Sequence, residues 1–167
     1  AMANYHGVSL RAIAKALLSF KGIKRRFTYK IQTDKLVLID DYAHHPTELN
    51  AVENAVREMY PSEKVMAIFQ PHLFSRTKDF ADDFGKSLSK FDEVLLLDIY
   101  PAREKPIVGI TSSWLLDKIN CPKKKLSTKE ELIQHIKASD AKVKMLLGAG
   151  DIGQLVQGIT KELLGEN

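Results

Sequence analysis

Asp40, Asp41, Tyr42, His44 and His45 fall within six consecutive positions, and Pro46 follows at once. Carboxylates accept hydrogen bonds and imidazoles exchange protons near neutrality, so this is a polar cluster able to meet a ligand. Residues 37–39 read as a short buried strand, Pro46 suits a first helical turn, and Glu48 complements the start of that helix. Asp41, Tyr42, His44 and His45 then occupy a strand-to-helix turn, the place where open α/β sheets bind ligands. A plainer reading stands beside this one: an Asp ahead of a helix also serves as a cap, and a His before Pro as a polar loop residue.

A second group, residues 70–77, contains His72 and Arg76 on either side of an expected helix start. An anion there would meet an imidazole, a guanidinium and free backbone N–H groups, which describes a carboxylate or phosphate site. The alternative makes Ser75 an N-cap, with Asp79 in the first turn and Arg76 solvated. Arg103, in a third loop, either adds charge to the same rim or forms a surface salt bridge. Lys24, Arg25 and Arg26 stand at the mouth of a strand, where a planar guanidinium suits nucleotide phosphates.

The elements that must position these residues alternate in period. Residues 9–20 read as a helix capped by Ser9, with Leu10, Ile13, Ala14, Leu17 and Leu18 on one stripe. Residues 27–32 and 36–39 read as strands joined by a turn at 33–35. Helices are expected at 46–59, 75–88, 111–119, 128–138 and 152–164, and strands at 65–69, 93–99, 125–126 and 143–147. Such alternation predicts a mixed, mostly parallel sheet with helices on both faces.

Composition excludes several classes. The 167 residues suffice for one domain with a sizeable core, and 44% apolar with 28% charged residues is ordinary for a soluble globular chain. The single cysteine, Cys121, rules out an internal disulfide and every multi-cysteine zinc pattern, and reads as an inert thiol. No apolar run approaches a membrane span and no secretory signal opens the chain, so a cytoplasmic location is expected. The net charge of +4 is scattered except at residues 21–26 and 123–125. Without interleaved aromatic residues it does not make a nucleic-acid surface, and residues 123–125 read as a solvated run in a loop.

Gly148, Gly150 and Gly153 satisfy the GxGxxG spacing after a strand. That pattern fits a pyrophosphate cradle of a dinucleotide-binding domain, or a tight turn with Asp151 near a helix start. No GxxxxGK followed by Ser or Thr is present, so no loop of that kind cradles phosphates.

Four segments, SFKGIKRRF at 19–27, DDYAHHPTE at 40–48, FQPHLFSRT at 69–77 and LLGAGDI at 146–152, occur in the order seen in Mur ligase C-terminal domains. On these residues the chain resembles that family over about 19–152. The resemblance implies a Rossmann-like α/β fold for residues 23–167, with 1–22 the tail of a central ATP-binding domain or, at the extreme N-terminus, foreign residues. The HHP and PHLFSRT segments resemble the members that join L-alanine to UDP-N-acetylmuramate in peptidoglycan synthesis. The murein-peptide recycling ligases are the nearest alternative.

The same resemblance implies that Arg26, Asp41 and Tyr42 contact the nucleotide, with Asp41 suited to ribose hydroxyls. It places His72 and Arg76 on the amino acid's carboxylate and the transferring γ-phosphoryl group, and His44 and His45 on the substrate side. Leu73 stands where many relatives carry arginine, so one expected cation is absent. ATP and Mg²⁺ would serve the full-length enzyme, with neither held tightly by this piece and no metal assigned to its residues. Its partners would be the upstream ATP-binding and UDP-binding domains of the same polypeptide, together with UDP-N-acetylmuramate, L-alanine and ATP. The implied reaction is amide formation through an acyl phosphate, with this domain closing as a lid. Lacking the phosphate loop, the chain alone is expected to be inactive. Alanine-dependent release of phosphate from ATP by the purified chain would overturn that expectation.

Overall fold

Interior strands of a parallel sheet are covered on both faces and therefore read as unbroken apolar runs. Three strands have every residue buried: β3 (Val65–Phe69), apolar throughout, and β2 (Val37–Asp41) and β6 (Val143–Leu147), apolar but for Asp40, Asp41 and Lys144. The computed structural model describes residues 2–20 and 22–165; Lys21, within the basic stretch noted above, lies outside the described residues, as do Ala1, Glu166 and Asn167. The flanking strands are β1 (Thr28–Gln32), β4 (Glu93–Leu96) and β5 (Lys123–Leu126). Together they form one sheet in the order β1-β2-β6-β3-β4-β5. Only the β1–β2 pair is antiparallel.

Helices cover both faces, as expected. Successive strand residues point to opposite sides, so Ile39, Ala67 and Met145 enter one core with Leu49 and Val56 of α3 (Pro46–Met59) and Phe84 and Leu88 of α5 (Ala81–Leu88). Leu115 of α6 (Ser112–Asp117) joins the same core. Leu38, Met66, Ile68 and Leu146 enter the other, with Leu132 and Ile136 of α7 (Leu132–Ala138) and Val156 and Ile159 of α8 (Ile152–Leu164).

Several boundaries differ from the sequence pattern. The helix expected at 75–88 is two helices, α4 (Phe74–Asp79) and α5, separated at Phe80, whose φ of −114° and ψ of 19° leave the helical region. The strand expected to reach Ile99 ends at Leu96, although Leu97 and Tyr100 still donate to Phe69 and Pro71 carbonyls. Helix α7 starts at Leu132 and not at Thr128, and Thr111 caps α6 through a bond from the Trp114 N–H. The lysines at 123–125 belong to edge strand β5 and not to a loop, and the Lys124 ammonium donates to the carbonyls of Leu116 and Ile119 at the end of α6.

The N-terminal helices, α1 (Met2–Tyr5) and α2 (Leu10–Leu18), stand apart from both cores. Ser9 caps α2 as expected, accepting from the Ala12 N–H, yet no residue of either helix is buried. Its apolar stripe faces outward, with Leu10 71% and Leu18 89% exposed.

Close packing gives a paired test. A Cβ on Gly85, inside α5, would lie 2.6 Å from the Lys118 carbonyl oxygen, whereas one on Gly158, in α8, would meet nothing within 4 Å. Gly85→Ala should cost about 1–3 kcal/mol by overpacking, and Gly158→Ala should add about 0.5–1 kcal/mol from helix propensity. Urea midpoints of the two variants should move in opposite directions; a rise for both would refute the close approach at Gly85.

Candidate functional site

The carboxyl ends of β2, β6, β3 and β4 deliver four loops to one edge of the sheet. At the end of β2, Asp40 and Asp41 are each only 3% exposed. Asp40 is answered by Arg25, whose Nε lies 3.1 and 3.3 Å from its two oxygens. Burial pushes the Asp40 carboxyl above its ordinary pKa, and the Arg25 guanidinium works against that rise. Arg25 also donates from Nη2 to the Gly148 carbonyl at 2.7 Å and lies 5.1 Å from the Tyr42 ring centre. Gly153 leaves room for it, since a Cβ there would sit 2.5 Å from Arg25 Nη1.

Asp41 is engaged on both sides. Its Oδ2 accepts the Phe27 N–H at 2.6 Å and its Oδ1 the Ala43 N–H at 2.7 Å. The side chain expected to face a ligand thus first of all ties residues 25–27 to the turn after β2. Tyr42 is 39% exposed, and its backbone N–H donates to the Arg25 carbonyl. Arg26 is more open: its side chain is 53% exposed and 3.9 Å from Glu48.

The two histidines part company. His44 Nδ1 lies 2.9 Å from the Tyr42 carbonyl oxygen and 3.2 Å from Glu48, and its ring centre is 6.1 Å from that of His72. Burial opposes ionisation of Glu48, but the His44 N–H, together with the charges of His44 and Arg26, holds its pKa below the ordinary value. His45 caps α3, its Nδ1 accepting the Thr47 N–H at 3.3 Å, and its ring packs edge-on against Phe80. The plainer capping role expected of His45 is thus present, made through Nδ1.

Across the edge, the His72 ring stacks on Tyr100 with centres 5.6 Å apart, and its Nδ1 lies 3.3 Å from Arg76 Nη1. A guanidinium only donates, so Nδ1 accepts and the imidazole is neutral, with its proton on Nε2. Burial lowers the His72 pKa, and Arg76 and His44 lower it further. The free N–H groups expected at the start of this helix are partly spent: Ser75 donates from its N–H and its hydroxyl to Glu104, at 2.9 and 2.5 Å. Ser75 is not the N-cap; that position is Leu73, which has φ 72° and no capping side chain. Arg103 is exposed on the neighbouring loop.

The glycine-rich turn is filled from within. Gln70 Oε1 accepts the Ile152 N–H at 2.9 Å, and Gln70 Nε2 donates to Asp151 at 2.7 Å. A Cβ on Gly150 would collide with the Gln70 amide and the Tyr100 side chain, and one on Gly148 with the Gln70 carbonyl oxygen. These glycines admit Gln70, which accounts for their spacing as a tight turn without a pyrophosphate. Among the described residues no group of three His, Cys, Asp or Glu side chains could hold a metal.

Sequence reasoning placed Arg25 only in a basic cluster suited to phosphate, without its pairing to Asp40, and gave no role to Gln70, Tyr100 or Glu104. The one available signal was the Asp40–Asp41 pair on an otherwise apolar strand, since buried carboxylates call for a nearby cation or N–H donors.

A family profile described as Mur ligase, glutamate ligase domain matches residues 25–152, the span from Arg25 to the start of α8. The chain belongs to the Mur ligase family. It is 64% identical over 167 residues to a UDP-N-acetylmuramate–L-alanine ligase of Flavobacterium johnsoniae, covering 100% of this chain and 37% of that protein. A ligase of the same name from Flavobacterium psychrophilum is 66% identical over 163 residues, 98% of this chain and 36% of its own length. This Mur ligase chain thus spans little more than a third of the curated relatives it matches. Among solved structures, a UDP-N-acetylmuramate–alanine ligase from Thermotoga maritima superposes with a TM-score of 0.77 at 26% identity, over 98% of this chain and 35% of that one. A murein peptide ligase from Psychrobacter arcticus shares the fold, with a TM-score of 0.63 at 22% identity over 95% of this chain and 34% of its own.

Removing the Arg25 guanidinium strands the Asp40 charge. Arg25→Ala should destabilise the Mur ligase domain by about 3 kcal/mol or more, the scale for breaking a buried pair. Folded Asp40 keeps its proton to higher pH than the unfolded chain does, so stability contributed by this group falls as pH rises through its raised pKa. The deficit should accordingly shrink on acidification toward the carboxylate range. Urea titrations at several pH values check this, and a deficit independent of pH would exclude Asp40 as its source.

Proposed function

We propose that this chain is the C-terminal, closing domain of an ATP-dependent ligase that joins L-alanine to UDP-N-acetylmuramate in peptidoglycan synthesis. The observation that carries the reading is the His72–Arg76 couple at the carboxyl edge of β3, facing His44, in a chain 64% identical throughout to a ligase of that name. Residues 1–22 are assigned to the tail of the central ATP-binding domain, a reading supported by the absence of buried residues from α1 and α2. The upstream ATP-binding and UDP-binding domains complete the cleft. ATP as co-substrate argues for a cytoplasmic site of action; among the described residues no helix is long and apolar enough to cross a membrane.

In this reading Arg76, whose polar partner among the described residues is His72, receives the L-alanine carboxylate. The neutral imidazole leaves its Nε2 proton to donate to the same carboxylate or to the γ-phosphoryl group. Fixing the carboxylate turns the free amine toward the acyl phosphate, so the contribution is orientation and charge compensation. Tyr42, backed by the Arg25 guanidinium, presents its exposed ring beside the nucleotide, and Arg26 is free to swing toward phosphate. Each Asp41 oxygen retains a second lone pair, so ribose hydroxyls would add to its N–H bonds without replacing them. In the full-length enzyme Mg²⁺ would accompany ATP; among the described residues no group of three His, Cys, Asp or Glu side chains could hold it.

Kinetics on the full-length protein test the assignment. Arg76→Ala should lower kcat/KM for L-alanine by about tenfold or more, the cost of one charge-assisted contact, while leaving KM for ATP near its parent value. An unchanged L-alanine titration would refute the anion site. Preference of the parent protein for a tripeptide over L-alanine would instead select the recycling ligases.

A further inference from the structure

Helix α4 holds Arg76, the hydrogen-bonding neighbour of His72, yet little within its own sequence secures it. It has six residues, its N-cap is Leu73, and no side chain caps it locally. Helices this short are marginal without outside support. Leu73 itself has φ 72° and ψ 133°, a conformation disfavoured for any residue with a Cβ, which persists only where the surroundings over-determine it.

The surroundings come from residues 97–104. Tyr100 donates its N–H to the Pro71 carbonyl at 2.8 Å and accepts the Leu73 N–H at 2.9 Å, closing a bridge beside His72. Four residues on, Glu104 accepts the Ser75 N–H and hydroxyl, one on each carboxylate oxygen. The cap that α4 lacks is therefore supplied from 29 residues downstream, together with the negative charge that suits a helix start. The Ser75 hydroxyl and N–H hold the Glu104 carboxyl below its ordinary pKa, so it is ionised at neutral pH. The backbone from Pro71 to Ser75 is thus held by Tyr100 at Pro71 and Leu73 and by Glu104 at Ser75, between His72 and Arg76.

We propose that Glu104 is a positioning residue for the amino-acid side of the site, holding the start of α4 through Ser75 so that Arg76 and His72 face the same anion. This rests on the reading that those two residues bind the L-alanine carboxylate. It concerns geometry: Glu104 acts through its two bonds to Ser75.

The test is steady-state kinetics of the full-length ligase with L-alanine and ATP varied separately. Glu104→Ala should raise KM for L-alanine by about tenfold, with KM for ATP within about twofold of the parent. Glu104→Gln, which keeps an acceptor for Ser75, should recover most of the loss, and Ser75→Ala, which removes one of the two contacts, should fall between. If Glu104→Ala does not fold, Ser75→Ala and Glu104→Gln decide. Equal rises in both KM values, or no recovery by Gln, would reduce Glu104 to a structural residue and overturn the proposal. Arg76→Ala separates the two levels: if it raises KM for L-alanine while Ser75→Ala and Glu104→Ala match the parent, the positioning role is wrong and the site stands. If Arg76→Ala has no effect, the site and the proposal fall together.

Discussion

Asp40 and Asp41 are two carboxylates in succession, both buried at the end of a strand, and neither can remain there without compensation. Asp40 takes a guanidinium and Asp41 takes two backbone N–H groups. Those partners can be supplied only if the chain ahead of β1 folds back over the end of β2. Arg25 and Phe27 adopt positive φ values of 57° and 45° to do so, a cost borne where the local bonds over-determine the backbone. The same bend puts the Arg25 guanidinium beneath Tyr42 and against Gly153, so one electrostatic requirement fixes three loops.

Gln70 repeats the device one strand over. Its amide bonds the N–H of Ile152 and the carboxylate of Asp151, joining the exit of β3 to the exit of β6. Residues 97–104 join the exit of β3 to that of β4. Polar side chains with full sets of partners thus stitch adjacent strand ends into a stiff rim. Groups mounted on such a rim keep their geometry better than groups on independent loops.

The apolar run at 65–69, the nearly apolar one at 143–147 and the alternating periods around them made the sheet and its covering helices legible in the sequence. The break at Phe80 was not legible, because the apolar spacing continues through it and only the turn of the backbone reveals it. Lysines at 123–125 carry weak strand propensity, and their pairing with β4 is a tertiary fact that local pattern does not encode. At the site, DDYAHHPTE marked the right turn, and proline directly after His45 already agreed with the capping role that His45 plays. Choosing between Arg25 and Arg26 was beyond local sequence, since the decision depends on a carboxylate fifteen positions away and a carbonyl in the last βα turn. Glu104 was hidden for the same reason: its partner lies 29 residues upstream.

Strand β5 ends the sheet on one flank, and its unpaired edge carries Lys123, Lys124 and Lys125 in a row. A naked edge is a template on which a second copy of the chain can add a strand. These side chains alternate between the two faces of the sheet, and their ammonium groups are already engaged: Lys123 with Asp140, Lys124 with the carbonyls of Leu116 and Ile119, and Lys125 beside His135. A four-residue edge strand whose first three side chains are lysines offers an added strand little to pair with and little apolar surface to cover. The sheet is thus guarded against further strands at the flank farthest from Arg25 and Asp40.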